Sequence, residues 1–393
     1  MAILRVTDGP ADQLQLHWRQ ETQRWDRPTK TLPNASQAHN SLYSSQLESA
    51  LAHNLADAGK AHTSIPGLPF APNQTTQHAT AVTLKKQKGP QKIIWQLMPD
   101  TPVGRALVSA TQRLESLEFD TAHLDAQVIL AHIMDVDRAW LFAHHEVKLT
   151  EEQAEQFTNL IVRRMNHEPV AYLIGRKEFY GLDFVVDSRV LIPRPETELL
   201  VDAVLSHLEV RSDELPIGHR LNIVDVGTGC GVIALSVVTN APNVQAFAID
   251  ISRDALEIAR ANARRLDKRC QVSLLEGDLL APLSHKVDRD KVDIIVANLP
   301  YINTWDYATL APDVRDFEPQ LALEAGPKGL DSIGRLLEQA HYYLNPKGVI
   351  FLEIGYDQGE EILSLVKHHI PQATFVDLRQ DYNGRDRLIT IAI

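Results

Sequence analysis

Cysteine is scarce in this chain. Only Cys230 and Cys270 occur in 393 residues, so a disulfide framework is excluded and a reducing compartment, the cytoplasm, is expected. Positive charge is also in deficit. A formal net charge of -12 leaves no basic face with which to neutralise phosphates, which argues against direct nucleic-acid binding and for a protein or small-molecule substrate. No uninterrupted apolar run reaches the ~20 residues that a membrane helix needs. The start, Met1-Ala2-Ile3-Leu4-Arg5-Val6-Thr7-Asp8, has no basic segment followed by an apolar one, so neither membrane nor export is expected. Chemical signatures are missing too. His144-His145 and His368-His369 lack ligand spacing, so no metal is expected. No serine nucleophile elbow, no phosphate-binding lysine loop and no internal repeat is visible.

What is present divides into zones. With 393 residues, 44% of them hydrophobic, two folded units and an appendage are expected. Residues 1–98 form an irregular N-terminal extension rich in Gln, His, Asn, Ser, Thr and Pro. Two pieces of it have folding potential: a weakly amphipathic run from Gln13 to Trp25, and a hairpin of residues 80–86 and 91–97 around Lys88-Gly89-Pro90. Residues 99–167 carry apolar positions every three or four residues, among them Val103, Leu107, Leu114, Ile129, Leu130, Phe157 and Ile161, the pattern of a small all-α domain. Thr150 and Gln153 predict a reciprocal cap at one helix start. Residues 168–194 read as a linker with a short β hairpin. Pro195, followed by Glu196 and Glu198, opens a helix whose dipole favours acids in the first turn.

From 195 to 393 strands and helices alternate. Strands are predicted at Leu221 to Val226, Val244 to Ile249, Gln271 to Leu275, Val292 to Ala297 and Gly348 to Glu353. Helices are predicted at Val232 to Asn240, Asp254 to Leu266, Gly329 to Leu344 and Gly359 to His368, with Thr374 to Leu378 and Leu388 to Ile393 as a closing pair. That alternation predicts an α/β fold: a doubly wound, largely parallel sheet covered on both faces, with an antiparallel closing strand. Ligands in such sheets bind at the carboxyl ends of strands, where the strand order reverses.

Three strand ends carry the chemistry. Gly227-Thr228-Gly229-Cys230-Gly231 follows the first strand, where backbone amides approach a cofactor because no Cβ intervenes. Val232 stands where a dinucleotide fingerprint has its third glycine, which weakens a nicotinamide or flavin reading. Asp250, about 20 residues further on, is placed to accept from both hydroxyls of a ribose. Gly277-Asp278-Leu279 ends the third strand. Asp278 there either accepts from the amine of a bound adenine or caps the turn before Ala281 and Pro282. Asn298-Leu299-Pro300-Tyr301 ends the fourth strand with a side-chain amide oxygen, a backbone carbonyl and an aromatic face, a set that grips a planar NH2 group. The alternative for that tetrapeptide is a proline-terminated strand with a buried tyrosine. Together these motifs point to methyl transfer to a planar nitrogen.

At these residues the chain resembles the release factor glutamine methyltransferases of the HemK type. The likeness spans Thr101 to Ile393: the Glu168 to Gly181 stretch, Pro193-Arg194-Pro195-Glu196-Thr197-Glu198, the glycine turn, Asp250, the Asn298 tetrapeptide, Glu318-Pro319 with Gly326 and Gly329-Leu330, and Asp381-Tyr382-Asn383-Gly384-Arg385-Asp386-Arg387. The resemblance implies a Rossmann-like class I methyltransferase with S-adenosylmethionine as donor. The donor would be bound by Gly227, Thr228, Gly229, Cys230, Gly231, Asp250, Asp278, Leu279 and Asn298. It implies as acceptor the glutamine amide of the Gly-Gly-Gln motif of a class 1 peptide chain release factor, held by Asn298, Leu299, Pro300 and Tyr301, with Asn298 and Tyr301 catalytic and the helical domain recognising the protein. Two departures stand out. Leu299 replaces the first proline of the usual Asn-Pro-Pro-Tyr, keeping the carbonyl but giving up rigidity, and the family lacks an N-terminal extension of this kind. The competing readings are methylation of another planar nitrogen, in a ribosomal protein glutamine or an adenine amine, and a silent module that binds S-adenosylmethionine. The acidic charge counts against the nucleic-acid reading, and intact Asn298, Tyr301 and Asp250 count against the silent one.

Overall fold

The computed structural model describes Ile3–Leu4 and residues 95–214, 219–285 and 291–393. The run from Gln13 to Trp25 lies outside the described residues, and so does the hairpin around Lys88-Gly89-Pro90 up to residue 94. Its described end is not strand. The Leu97 N–H donates to Thr158 Oγ1 at 3.1 Å, and the Trp95 ring meets Phe157 edge-on with centroids 6.1 Å apart. Trp95 and Leu97, read from the sequence as part of the extension, thus pack into the helical core.

That core is built by α1 (Val103–Glu115), α2 (Ala122–Met134), α3 (Arg138–Ala143), α4 (Glu151–Met165) and α5 (Val170–Ile174). Leu114, Ile129, Leu130, Phe157 and Ile161 are fully buried in it, the apolar positions that the helical period picks out. Thr150 and Gln153 form the expected capping box at the start of α4. One charge lies inside: Arg164 donates to Asp125 Oδ2 at 2.7 Å, and its guanidinium sits 4.3 Å from the centre of the Phe119 ring.

The hairpin of β2 (Arg176–Phe179) and β3 (Leu182–Val185) follows, in antiparallel register from Arg176 opposite Val185 to Phe179 opposite Leu182. Tyr180 and Gly181 both have positive φ, 53° and 73°, which matches the twist of a two-residue hairpin turn. Glu198 Oε1 accepts from the Tyr180 N–H at 3.0 Å, tying that turn to the next helix. Pro195 opens a single tight turn, Pro195–Thr197, that runs into α6 (Glu198–Glu214).

The main sheet comprises β1 (Ile3–Leu4), β4 (Leu221–Val226), β5 (Val244–Asp250), β6 (Val272–Glu276), β7 (Val292–Ala297), β8 (Leu344–Glu353), β9 (Phe375–Gln380) and β10 (Asp386–Ala392). The spatial order is β1-β9-β10-β8-β7-β4-β5-β6. Strands β6, β5, β4, β7 and β8 pair in parallel, while β10 runs antiparallel between β8 and β9. Its connecting helices are α7 (Val232–Asn240), α8 (Arg253–Arg265), the short α9 (Thr304–Tyr307) and α10 (Pro312–Arg315), α11 (Asp331–Tyr343) and α12 (Gly359–His369). Two apolar cores cover the two faces. Leu200, Val204, Ile233, Val237, Ala255 and Ile258 join one, and Ile333, Leu336, Leu337, Ile362 and Val366 join the other. Burial on both faces is why β4 and β7 read as unbroken apolar runs. The fold is the expected Rossmann-like α/β sheet with an antiparallel edge. Among the described residues no helix is long and apolar enough to cross a membrane.

Candidate active site

The chain goes β4, β5, β6 outward on one side of the sheet, then returns to place β7 on the other side of β4. The order reverses between β4 and β7, and their paired ends, Val226 opposite Ala297, are where a doubly wound sheet opens a crevice. The glycine turn leaves one end and the Asn298 tetrapeptide the other. They touch: a Cβ placed on Gly227 would stand 3.0 Å from Leu299 Cδ2 and 3.9 Å from the Asn298 carbonyl oxygen.

The turn is held from beneath by Asp225, which is fully buried. Its Oδ2 accepts from the Thr228 hydroxyl at 2.6 Å and the Ala234 N–H at 3.0 Å, while Oδ1 has no partner. Burial pushes this carboxyl up to about 6, because removing water penalises the charged form. Gly227, Gly229 and Gly231 have φ of 72°, 55° and 85°, a left-handed path that glycine follows without a Cβ penalty. The Asp250 carboxylate bridges the turn to β5: Oδ2 accepts from the Gly229 N–H and Oδ1 from the Ser252 N–H, each at 2.8 Å. Burial raises its pKa, and those backbone donors pull it back.

The other residues selected for this side divide differently. The Cys230 side chain is buried in the core, where burial pushes the thiol up to about 12. Its carbonyl accepts from Asn262 Nδ2 at 2.9 Å, and the same amide bonds the N–H and carbonyl of Val185, so the glycine turn is tied to the hairpin. Asp278 is half exposed and accepts from the Arg335 guanidinium on α11. Leu279 turns its side chain into the core, so only its backbone remains to meet a ligand.

An adenosine-containing donor fits this end of the sheet. Nothing stands within 4 Å of a Cβ placed on Gly229, which leaves open space over the turn. Asp250 is oriented beside it by two fixed amides. The acid is held before any ligand arrives.

The Asn298 amide is half-buried, and its Nδ2 donates to Thr197 Oγ1 at 3.1 Å. The Glu353 carboxylate at the end of β8 neighbours the Thr197 hydroxyl and the Asn298 amide, and both of these favour its charged form. Thr197 and Glu353 are each 2% exposed. Burial pushes the Glu353 carboxyl up to about 7. Tyr301 is half-buried beside the same acid, and burial pushes its phenol up to about 12. Gln358 clamps the Tyr301 backbone, its Nε2 donating to the carbonyls of Tyr301 at 2.9 Å and Gly329 at 3.2 Å. Leu299 is buried against Gly227. Pro300, half-buried, separates that anchor from Tyr301.

The remaining motifs of the sequence support this corner. Glu318, buried, accepts from the Ile192 N–H at 3.1 Å and from Arg194 at 2.5 Å, so the Pro193-Arg194-Pro195 segment is anchored to Glu318-Pro319. That anchor delivers Thr197 to Asn298. Nothing in the local sequence marks Thr197, Glu353 or Gln358 as part of this corner, although Thr197 lies within the Pro193 to Glu198 segment.

Residues 105–175 match the family described as PrmC N-terminal domain, and residues 217–354 match the one described as methyltransferase domain. A protein named release factor glutamine methyltransferase in Bacillus cereus is 36% identical over 263 residues, 67% of this chain and 90% of that one. One of the same name in Moorella thermoacetica is 41% identical over 283 residues, 72% of this chain and 95% of that one. A solved structure from Alicyclobacillus acidocaldarius, titled protein-(glutamine-N5) methyltransferase (release factor-specific), is 27% identical with a TM-score of 0.30, covering 53% of this chain and 98% of that one. The chain belongs to the release factor glutamine methyltransferase family.

Proposed function

We propose that this protein transfers a methyl group from S-adenosylmethionine to the side-chain amide nitrogen of the glutamine in the Gly-Gly-Gln motif of class 1 peptide chain release factors. The observation that carries the reading is the packing of Leu299 on Gly227, which sets the donor turn and the acceptor tetrapeptide wall to wall. Family membership supplies the substrate class. In this reading residues 195–393 form the catalytic domain, 168–194 the linker, and 99–167 the domain that recognises the release factor. Residues 1–98 carry no part of the proposed chemistry, although Ile3–Leu4, expected to be irregular, pairs with β9 at the sheet edge and Trp95 and Leu97 pack into the helical core. The partner is a protein met in the cytoplasm, and the acidic chain makes no direct contact with nucleic acid.

Bound S-adenosylmethionine supplies an electrophilic methyl group on a sulfonium. Asp250 would accept from the ribose hydroxyls, the amides of the Gly227 to Gly231 turn would line the donor, and Asp278 with the Leu279 backbone would border the base. An amide nitrogen is a poor nucleophile because its lone pair is delocalised. Asn298 Oδ1 and the Leu299 carbonyl accept the two N–H groups of the substrate amide, which aims the lone pair and stabilises the positive charge that develops on nitrogen. Tyr301 packs its ring on the planar group, and Pro300 limits the backbone between them. Orientation of this kind supplies ~7 to 11 kcal/mol of barrier reduction, so no strong base is needed. The nitrogen would gain the methyl as the sulfur–methyl bond breaks and its electron pair stays on sulfur to leave a neutral thioether, and the nitrogen would release one proton to water.

Incubation with labelled donor and a purified release factor tests the reading. Label should enter the parent factor and not a variant with alanine at the tip glutamine. Label on DNA or on a ribosomal protein instead would move the assignment to another planar nitrogen. Donor binding with no transfer to any of these would leave a silent binding module.

A further inference from the structure

A carboxamide has an oxygen and an NH2 group of nearly equal size, so the residue type at position 298 does not decide which of the two faces the substrate. The acceptor of the reaction is itself an NH2 group. An asparagine turned the wrong way would set donor against donor and hold nothing. Something behind Asn298 must choose.

We infer that Thr197 and Glu353 are positioning residues that fix the polarity of the Asn298 carboxamide, holding its NH2 group to the protein and presenting its oxygen to the acceptor; the inference rests on the proposed role of Asn298. A carboxylate only accepts hydrogen bonds, whereas a hydroxyl both donates and accepts. With Glu353 ionised, the Thr197 hydroxyl donates to the carboxylate and is left to accept from Asn298 Nδ2, the contact seen at 3.1 Å. A favourable interaction between the carboxylate and the Asn298 amide calls for the same orientation. One negative charge thereby directs every donor in the chain inward.

Burying this acid costs the fold stability. Glu353 is 2% exposed and its Oε2 has no partner. Arg387 from β10 is the favourable charge near it, but its Nε is also unpartnered, and its other nitrogens serve the Ile354 carbonyl at 3.3 Å and Asp381 at 3.5 Å. Glu196, from the turn before α6, adds repulsion. Tyr301 and Asn298 flank the site from the end of β7, and the Arg194 charge on the linker acts on Tyr301. Burial keeps the carboxyl near its titration point at neutral pH, about 7. Protonated, Glu353 becomes a donor, and the Asn298 oxygen is no longer the atom left over.

Steady-state methylation of a release factor by the full chain tests this, with Thr197→Val, Thr197→Ser, Glu353→Gln and Asn298→Ala compared. Thr197→Val should lower kcat by about 10- to 100-fold, the scale of a misoriented reactive group, at unchanged affinity for S-adenosylmethionine. Thr197→Ser, which restores the hydroxyl, should recover most of the loss. The parent enzyme, which needs no substitution, should lose kcat about tenfold per pH unit below the Glu353 pKa. That acid limb should be absent in Glu353→Gln. Parent-like kcat in both Thr197→Val and Glu353→Gln, beside an inactive Asn298→Ala, would overturn the inference and leave the proposed function standing. Parent-like kcat in Asn298→Ala would instead remove the acceptor role beneath both.

Discussion

Gln358 Nε2 donates a hydrogen bond to the Tyr301 carbonyl oxygen at 2.9 Å, and the same amide accepts the Gly355 N–H through Oε1 at 2.9 Å. One buried side chain therefore locks the end of the tetrapeptide to the loop after β8. Gly329 completes the clamp. At its φ of 70° a Cβ would fall within the van der Waals shell of the Tyr301 carbonyl oxygen.

Gly329→Ala should thus displace Tyr301 as well as strain the backbone. A left-handed non-glycine residue costs ~1 to 3 kcal/mol, and the collision adds to it. Gln358→Leu should cost a similar amount, since it strands buried backbone groups at ~1 to 3 kcal/mol. Both variants should melt below the parent and lose kcat more than donor affinity. A Gly329→Ala protein that melts and turns over like the parent would show that the clamp does not hold Tyr301.

Donor affinity should follow the charge of Asp250. Its pKa is raised by burial, so the carboxylate is charged above that folded-state value and takes up a proton as pH falls through it. Ribose hydroxyls bind the ionised form. The Kd for S-adenosylmethionine should therefore be flat at high pH and weaken as pH drops through the raised value, starting above the range of an ordinary aspartate. Stability runs the other way, because the native state holds the proton more tightly than the unfolded chain and so gains on acidification over that window. Asp250→Asn should weaken donor binding by about 10- to 100-fold, the value of ~1.5 to 3 kcal/mol for a hydrogen bond to a charged group. Calorimetric titration of the donor across pH checks both statements.

The buried pair of the helical domain should respond asymmetrically. Arg164 and Asp125 are each 6% exposed and bonded at 2.7 Å, with Asp313 on α10 a further 3.9 Å from the guanidinium. Asp125→Ala leaves Arg164 without its close partner and should destabilise the protein by ~3 to 5 kcal/mol. The double variant Asp125→Leu with Arg164→Met removes both charges and should recover most of that stability. Its KM for the release factor should rise if the link from α4 to α10 helps to hold the substrate loop. Urea unfolding and substrate titration read the two effects separately.

Much of this site was readable from local pattern. A glycine turn after an apolar strand, an acid at the next strand end and a polar tetrapeptide at the fourth lie within short segments whose chemistry does not depend on distant residues. Alternation of strands and helices predicted a parallel sheet with a switch point, but its place between β4 and β7 depends on the strand order of the folded sheet. Cys230 and Leu279 mark the limit of that reading. Each sits in a motif assigned to the donor, yet each turns its own side chain into the core, and neighbourhood in sequence does not reveal side-chain direction at a turn.

Sequence alone determined that strands would alternate with helices and end in particular acids, glycines and an asparagine, because those features arise from spacing and backbone preference over a few residues. Only the tertiary structure decided what stands behind them. Thr197 meets Asn298 across 101 positions, and Gln358 meets Tyr301 across 57. Nothing local marks such a pair. The polarity of an amide and the ionisation of a buried acid depend on burial and on which donors surround them, and these exist only once the β8 end, the Pro195 turn and the Asn298 corner have been folded together.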